Sequence, residues 1–266
     1  MRGIFIFLGS GTSRGVPMLC CHCEACTSTD PRDHHDRSCA MVSVGGHNIL
    51  IDCGPDLRLQ LLRWKPEVES LDAVLLTHAH ADHADGLDDL LAFSQHTRLP
   101  IPFYGPEGEL ALLRERYAYV EKLRFRPDGS PRWTIPQLDY KAVKEPFSVA
   151  GIPIIPLPLK HGNADTLGYR IGSMAYVCDC SHIPEETYPL LEDVQDLVID
   201  ALHWRYHPTH FCIRAAEAEI KKIKPQRAWL THLTHDVLYA RDQPLMLPGN
   251  TLAHDGLEFP IEVEVA

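Results

Sequence analysis

The sequence predicts an α/β protein with two sheets and helices on their outer faces. Short apolar runs rich in β-forming residues recur along the chain, and most are bounded by Gly, Pro, Asn or Asp. Helical periodicity lies between some of these runs, so the order is strands, helices, strands, helices. The chain has 266 residues, of which 45% are hydrophobic, which is enough for a sizeable core. We expect one domain that covers residues 1–266.

The apolar runs and the periodic stretches place the elements in order. The predicted strands are Ile4–Leu8, Met41–Val44, Ile49–Ile51, Ala73–Thr77, Ile152–Leu157, Ala175–Cys178, Leu197–Asp200 and Ala228–Thr231. The clearest predicted helices are Leu87–Gln95, Gly108–Glu121 and Ile213–Ile223. The proline-rich stretch Arg126–Pro136 predicts a loop within the domain.

The charge and the apolar pattern narrow the classes of partner. The formal net charge is −11 with histidines neutral, whereas a surface that follows a nucleic-acid backbone normally needs a basic face. A small-molecule substrate is therefore favoured over a large nucleic acid. No apolar run approaches the roughly 20 residues that cross a bilayer, and the opening MRGIFIFLGSGTSRG is typical of a strand and turn. We expect a cytoplasmic protein with no membrane partner, and we leave a homodimer open.

Ionisable residues follow four of the predicted strands. In the stretch LLTHAHADHADGL, His78 comes directly after a strand, and His161, Asp179 and His232 stand in the same position after later runs. Functional groups commonly collect on loops at one edge of a rigid sheet. Four strand ends that carry His or Asp therefore predict one shared site.

The stretch HAHADH has the residue types and spacing of a metal site. His78 and His80 are two residues apart and could project to the same side of an extended segment. Asp82 and His83 follow on a turn that leads into a helix. Imidazole and carboxylate suit borderline or harder divalent metals, and two pairs of ligands can serve two ions. The alternative is a solvated, acidic helix start.

The pattern H-x-H-x-D-H after a strand resembles the signature of the metallo-β-lactamase superfamily. Four further segments resemble the family's other motifs and occur in the family's order, namely NILIDCGPD, LPLKHG, AYVCDCSH and AWLTHLTH. The resemblance implies an αββα four-layer sandwich, the metallo-β-lactamase fold, with a metal site at one edge of the sheets. It therefore implies a metal-dependent hydrolase.

The resemblance also implies a set of ligands. The first ion would be held by His78, His80 and His161, the second by Asp82, His83 and His232, and both by Asp179. Asp82 is also expected to act as a catalytic residue. Asp52 would form a hydrogen bond near the ligand loop, as residues that orient metal ligands do, although a helix or turn cap is the alternative.

The predicted chemistry is hydrolysis at phosphorus. Two cations about 3.5–4 Å apart can hold a hydroxide between them at neutral pH, and they neutralise phosphate oxygens. None of the seven implied ligands is a thiolate, and a bridging Asp resembles the phosphodiesterase and nuclease branches of the superfamily. His and Asp ligands suit Mn²⁺ or Zn²⁺.

A second metal site is predicted from the segment LCCHCEAC. Cys21, Cys23 and Cys26 supply three thiolates, and a closed tetrahedral zinc site needs a fourth ligand. GSGTSRGVP followed by C-x-C-x2-C resembles the phosphoribosyl 1,2-cyclic phosphate phosphodiesterases of the carbon–phosphorus lyase pathway. This resemblance implies a structural Zn²⁺ bound by the three cysteines and His235. Whether Cys20 or His22 replaces one of these ligands is left open.

The same resemblance implies a general acid before a late helix. In HPTHFCIRAAEAEI, His210 aligns best, and His203 and His207 are the nearby alternatives. We therefore expect attack by a metal-bridging hydroxide on a small cyclic or nucleotide-like phosphodiester, with cyclic ribose phosphate as the best match, and protonation of the leaving oxygen by His210. An RNA-processing nuclease and a thioester hydrolase of the same superfamily are the alternatives.

The turn after the first predicted strand is polar. Its residues Ser10–Ser13 could present backbone amides to a substrate phosphate, although many strand-ending turns have this composition. Arg14 adds one cation, and the sequence alone assigns it no role.

Overall fold

The computed structural model describes residues 1–264. Two seven-stranded sheets pack face to face, and helices cover their outer faces. This is the αββα four-layer arrangement, so the predicted fold class is confirmed.

The first sheet is formed mostly by the N-terminal half of the chain. In spatial order its strands are β14 (Glu258–Glu262), β1 (Arg2–Gly9), β2 (Cys39–Val44), β3 (His47–Ile51), β4 (Ala73–Leu75), β5 (Ile101–Gly105) and β6 (Leu138–Ala142). In the second sheet the order is β13 (Asn250–Leu252), β12 (Arg227–Thr231), β11 (Asp196–Asp200), β10 (Met174–Val177), β9 (Ala164–Ile171), β8 (Ile152–His161) and β7 (Phe147–Val149).

In residues 1–264, seven α-helices connect the strands. They are α1 (Leu57–Trp64), α2 (Ala81–Ala84), α3 (Leu91–Thr97), α4 (Glu107–Arg116), α5 (Ala118–Leu123), α6 (Ile213–Ile223) and α7 (Tyr239–Asp242). Short 3₁₀ turns occur at Ala25–Thr27, Pro31–Asp33, Leu87–Leu90, Glu185–Leu191 and Gln243–Leu245. No helix in the described part of the chain is long and apolar enough to cross a membrane.

Three apolar layers hold the sandwich together. Between the sheets, Phe5, Tyr169 and Tyr176 are almost fully buried within one cluster. On the outer face of the second sheet, Ile213 and Ile220 of α6 lie on the same side of the helix and pack into another cluster. Full burial of each large apolar side chain contributes about 1.5–3 kcal/mol, so the central layer fixes how the two sheets face each other.

Parallel neighbours bring the polar strand ends to one edge. β3 and β4 are parallel, and so are β10, β11 and β12. Parallel strands end at the same edge of a sheet, so residues that follow them lie close together. The site residues follow these strands, and β8 reaches the same edge at His161.

The predicted elements exist, but several bounds differ. β4 ends at Leu75, before the predicted end at Thr77, and β8 continues through His161. The predicted helix over 87–95 divides into a 3₁₀ turn and α3, and the one over 108–121 divides into α4 and α5. Only α6 has the predicted bounds.

Candidate active site and metal centres

Three site residues adopt a left-handed backbone where a strand has just ended. Asp52, Asp179 and His232 have φ values of 63°, 49° and 61°. Such angles are uncommon for residues other than glycine, and they cluster at functional sites when the surrounding structure holds them in place. The side chains of all three are almost fully buried.

The structure brings the first group of predicted ligands together. Ligand atoms of His78, His80, His161 and Asp179 all lie within 4.8 Å of one another. His78 Nε2 is 2.8 Å from His80 Nδ1 and 3.5 Å from Asp179 Oδ2. Two ring nitrogens this close must share either a proton or a cation.

The second group contains His83, His232 and the same Asp179. His83 Nε2 is fully buried and lies 3.3 Å from Asp179 Oδ1 and 3.4 Å from Asp82 Oδ2, yet it has no hydrogen-bond partner. Asp82 is therefore at the edge of this group, beside His83. Asp179 belongs to both groups, where a bridging ligand would be.

Asp52 orients the loop that carries the first histidines. Its carboxylate accepts hydrogen bonds from the Thr77 amide at 2.8 Å and from His83 Nδ1 at 2.7 Å. The segment after Asp52 lies so close to α2 that a Cβ at Gly54 would be 2.0 Å from the Asp82 carbonyl oxygen. The contact expected for Asp52 is therefore present, and the turn-cap alternative is not needed to explain it.

Hydrogen bonds fix the tautomers of the other histidines. The Ser38 hydroxyl donates to the Gly11 carbonyl, so it must accept from His232 Nδ1, 2.9 Å away. The Thr209 carbonyl accepts from His161 Nδ1 at 2.7 Å. In both rings Nε2 therefore has its lone pair free to bind an ion.

The local charges keep Asp179 ionised. Burial alone would lower the pKa of His83, but Asp179, Asp52 and Asp82 outweigh burial and raise it well above its ordinary value. Burial likewise opposes ionisation of Asp179, but His232 and His83 hold its pKa well below the usual range.

His210 lies beside both groups. Its Nδ1 donates to Asp200 Oδ2 at 2.7 Å, and ligand atoms of this pair lie within 4.8 Å of an Asp179 oxygen. Its ring stacks on His232 at 4.8 Å and is 4.6 Å from His161. Burial would lower the pKa of His210, but Asp200 raises it, so the protonated ring is favoured.

The alternatives to His210 lie farther from the ligands. The His207 ring is 5.2 Å from His210, and the His203 ring is 6.0 Å from His207. Among residues 1–264 no carboxylate forms a hydrogen bond with either ring. This arrangement favours His210 as the acid.

The cysteine cluster forms a separate centre. Sulfur atoms of Cys21, Cys23 and Cys26 and a ring nitrogen of His235 lie within 4.8 Å of one another. Cys21 Sγ and Cys23 Sγ are each 3.2 Å from His235 Nδ1. The Cys26 backbone amide, helped by His235 and opposed by burial, lowers the pKa of Cys23 to about 6, which favours the metal-binding thiolate.

The two residues that could have replaced a zinc ligand lie outside the cysteine cluster. Cys20 and His22 are exposed, and neither belongs to the group of close ligand atoms.

Both centres fit the metals that their donors suggest. Three sulfurs and one imidazole match a closed tetrahedral zinc site. The orphaned, buried His83 Nε2 and the facing nitrogens of His78 and His80 match cation-binding positions with nitrogen and oxygen donors.

Sequence reasoning missed three residues that position this site. Asp200 pairs with His210, Ser38 holds His232, and the Glu109 carboxylate accepts from the Ala79 amide at 2.7 Å within the ligand loop. Asp200 is the last residue of β11, and Asp52 and Asp179 closely follow the ends of β3 and β10, so this similar position could have revealed it. Ser38 and Glu109 have no comparable signal.

Known proteins resemble the chain at the level of a superfamily and at the level of a narrower family. The profile of the β-lactamase superfamily domain matches residues 47–233. An octanoyltransferase of Porphyromonas gingivalis is 38% identical over 260 residues, which are 97% of this chain and 51% of that protein. A ribonuclease Z of Bradyrhizobium diazoefficiens is 30% identical over 150 residues, which are 54% of this chain and 47% of that protein. The chain thus spans about half the length of these curated relatives.

A solved structure gives the narrower match. The crystal structure of a diphosphatase from the PhnP family is 34% identical, with a TM-score of 0.90, and the similarity covers 99% of this chain and 98% of that one. The chain is therefore a metallo-β-lactamase superfamily hydrolase, and within that superfamily it belongs to the PhnP family.

Proposed function

We propose that the chain is a dinuclear metal-dependent phosphodiesterase that hydrolyses a small cyclic or nucleotide-like phosphodiester, with cyclic ribose phosphate as its preferred substrate. The observation that carries this proposal is the His210–Asp200 pair beside the ligand groups. A proton donor at that position serves a poor leaving group such as a sugar alkoxide. The diphosphatase named in the PhnP-family structure also acts on a phosphate substrate.

The metallo-β-lactamase fold implies divalent metal ions. We propose two in the active site, Mn²⁺ or Zn²⁺, and one structural Zn²⁺. The residues that would hold them are those predicted, namely His78, His80, His161 and Asp179 for one ion, Asp82, His83, His232 and Asp179 for the other, and Cys21, Cys23, Cys26 and His235 for the zinc. When bound, the active-site ions would act as Lewis acids toward the phosphate oxygens.

His210 would transfer the proton. Asp200 holds the ring through Nδ1, and among the described residues none forms a hydrogen bond with Nε2. Nε2–H would donate its proton to the leaving sugar oxygen as the phosphorus–oxygen bond breaks, and the ring would become neutral.

Asp82 is the second catalytic residue that we propose. Although burial opposes it, His83 holds the pKa of Asp82 below its ordinary value, so the carboxylate stays ionised beside the ligand groups. Asp82 would bind and orient the second ion at the edge of the second group of ligands.

Two alternatives to the phosphodiesterase function, RNA processing and thioester hydrolysis, have some support from the comparisons. Similarity to ribonuclease Z proteins favours RNA processing, but it covers only about half of either chain, and a net charge of −11 disfavours RNA binding. Similarity to an octanoyltransferase favours acyl chemistry such as thioester hydrolysis, but the match leaves about half of that protein uncovered.

A comparison of leaving groups tests the proposal. His210→Ala should lower kcat for adenosine 2′,3′-cyclic phosphate by about 10²–10⁴-fold, because a sugar alkoxide needs a proton. The loss on bis(p-nitrophenyl) phosphate should be much smaller, since p-nitrophenolate leaves without one. His96→Ala, a change at an exposed histidine, is the matched control.

Equal losses on both diesters would contradict the role of His210. Hydrolysis of an acyl thioester but of neither diester would replace the proposal with a thioester hydrolase. Cleavage of precursor tRNA that weakens steeply with salt would favour the nuclease.

A further inference from the structure

We infer that Arg116, the last residue of α4, positions the loop over residues 78–85 and thereby sets the affinity of the active site for its first ion. The guanidinium contacts this loop at two points. Nη2 donates to the Ala79 carbonyl at 2.8 Å, and Nη1 donates to Asp85 Oδ1 at 2.7 Å. The inference rests on the two-ion site of the proposed function, but it does not depend on the identity of the substrate.

Ala79 lies where a small rotation of the backbone would separate two ligands. It is 3% exposed and stands between His78 and His80, which would both hold the first ion. Its amide belongs to the peptide plane on the His78 side, and its carbonyl belongs to the plane on the His80 side. Groups that hold both planes fix φ and ψ of Ala79. They therefore fix how the two histidines face each other, with His78 Nε2 2.8 Å from His80 Nδ1.

Helix α4 holds both of these planes. The Glu109 carboxylate accepts from the Ala79 amide at 2.7 Å, and Arg116 donates to the Ala79 carbonyl. Glu109 and Arg116 are seven positions apart, so they lie two turns apart on one face of the helix. Each bond has one ionised partner, and such bonds are stronger than those between neutral groups. A single helix face thus binds the backbone between the two histidines from both sides.

The second contact of Arg116 holds the far end of the loop. Asp85 comes two residues after His83, the last ligand of the HAHADH stretch. The same Asp85 oxygen that binds Arg116 also accepts from the Tyr117 hydroxyl at 3.2 Å. Arg116 therefore joins the two residues that bracket segment 80–84, and three of the predicted ligands lie in that segment.

The exposure of the ion pair separates a positioning role from a role in folding. The Arg116 and Asp85 side chains are 39% and 37% exposed. Ion pairs this exposed contribute little to folding stability, because water and salt screen them. Loss of Arg116 should therefore appear in ion affinity, with the melting temperature close to that of wild-type protein.

The test titrates Mn²⁺ into protein that has lost its active-site ions by mild chelation but retains the structural zinc. Calorimetry without substrate should show two binding steps in wild-type protein. In Arg116→Ala one step should weaken by about 10–100-fold, as for other residues that orient metal ligands. In the His80→Ala background, which lacks a ligand of the first ion, Arg116→Ala should leave the remaining step unchanged.

Two further variants separate geometry from charge and from the helix itself. Arg116→Lys keeps the charge, but one ammonium cannot replace a planar guanidinium at two acceptors, so most of the loss should remain. Arg114→Ala is the matched control, because Arg114 lies on the same helix with its guanidinium over the Tyr140 ring, 4.8 Å from the centroid. It should bind Mn²⁺ as wild-type protein does.

Wild-type affinity in Arg116→Ala, full recovery in Arg116→Lys, or an equal loss in Arg114→Ala would overturn the inference. Ions bound without hydrolysis of any diester would remove the phosphodiesterase, and the affinities would still decide the role of Arg116. If wild-type protein binds no Mn²⁺, the two-ion function fails. In that case, hydrogen exchange of amides 78–85 that is at least about tenfold faster in Arg116→Ala than in Arg114→Ala supports the positioning role, and equal exchange overturns it.

Discussion

The two ligand clusters of this protein differ in how the chain holds them. The histidine–aspartate cluster lies at the ends of parallel strands, and protein partners fix its rings, as Asp52 does for His83 and Ser38 for His232. The cysteine cluster lies on an N-terminal loop, which is linked to the sandwich by His235 and by packing of Ala25 and Cys26 against Leu238. Leu19, within this loop, is 90% exposed.

This difference shows that the two sites use metal binding differently. In the first cluster the folded sheets already hold the ligands in place, so the free energy of ion binding is not needed to order them and the ions can serve chemistry. In the second, a structural zinc would supply the order itself, because zinc binding contributes about 10–16 kcal/mol to folding in small zinc-dependent peptides. Only two residues separate His232 from His235, so the loop and the active site meet at this segment.

Among the changes that test this difference between the two clusters, the largest effect should come from breaking the preorganised cluster at Asp52. Asp52→Asn keeps the shape but removes the charge and one acceptor, so His83 and Thr77 lose part of their orientation. Affinity for active-site ions should fall about 10–100-fold, as for other residues that orient metal ligands. Metal titration followed by diesterase assays would measure this. Asp72→Asn, at a carboxylate paired with His47 on the surface, is the control.

A variant of Asp52 that binds ions as tightly as wild-type protein would contradict the preorganisation of this cluster. The structural zinc should remain bound in Asp52→Asn. This result would show that the two clusters bind metal ions independently.

Removal of the metal ions should disorder the cysteine cluster more than the histidine–aspartate cluster. After chelation, amides of residues 18–27 should exchange hydrogen at least about tenfold faster, because local opening then lacks the ligand bonds that opposed it. Amides of residues 75–83 should change much less, since Asp52, Thr77 and Glu109 hold that loop through the protein. Hydrogen-exchange mass spectrometry would compare the two segments. Equal loss of protection in both would show that the active-site loop also depends on metal for its order.

Much of the fold could be predicted because buried strands have a clear apolar pattern. Ile49–Ile51 and Ala228–Thr231 are central strands and were found from composition. Edge strands such as β14, which contains Pro260, have a weaker pattern because they have one neighbour and tolerate proline and polar residues. β9 was missed because it begins with polar residues immediately after the turn that follows His161.

The metal ligands could be predicted from the sequence, but most of the residues that orient them could not. His and Asp in a fixed spacing after strands are a chemical pattern that one chain displays. Ser38 acts on His232 from 194 residues away, and Glu109 acts on Ala79 from 30 residues away, so only the folded chain brings them together.

The smallest effect on activity should come from Asp255, whose carboxyl group binds the amides of Ser10 and Asp36. Burial raises the pKa of Asp255 to about 7, against hydrogen bonds from the amides of Asp36 and Ser10. A raised carboxyl pKa means that the folded protein holds the proton more tightly. The stability gained is complete below about pH 4, the ordinary value for Asp, and is lost as the pH rises toward 7.

Asp255→Asn cannot ionise, so its free energy of unfolding should fall less between pH 4 and pH 8. The difference from wild-type protein should be at most about 4 kcal/mol, at about 1.4 kcal/mol for each pKa unit. Urea unfolding at several pH values would measure it. Parallel pH profiles for the two proteins would show that Asp255 titrates normally in the folded state.

The most direct test of the account is the metal content of purified protein, measured together with hydrolysis of bis(p-nitrophenyl) phosphate after addition of Mn²⁺ or Zn²⁺. The account predicts about three metal ions per chain, of which one is a zinc that resists mild chelation, and a diesterase activity that chelation abolishes. One tightly held zinc, with no diesterase activity under any divalent metal, would contradict the dinuclear phosphodiesterase and leave only the fold and the structural site.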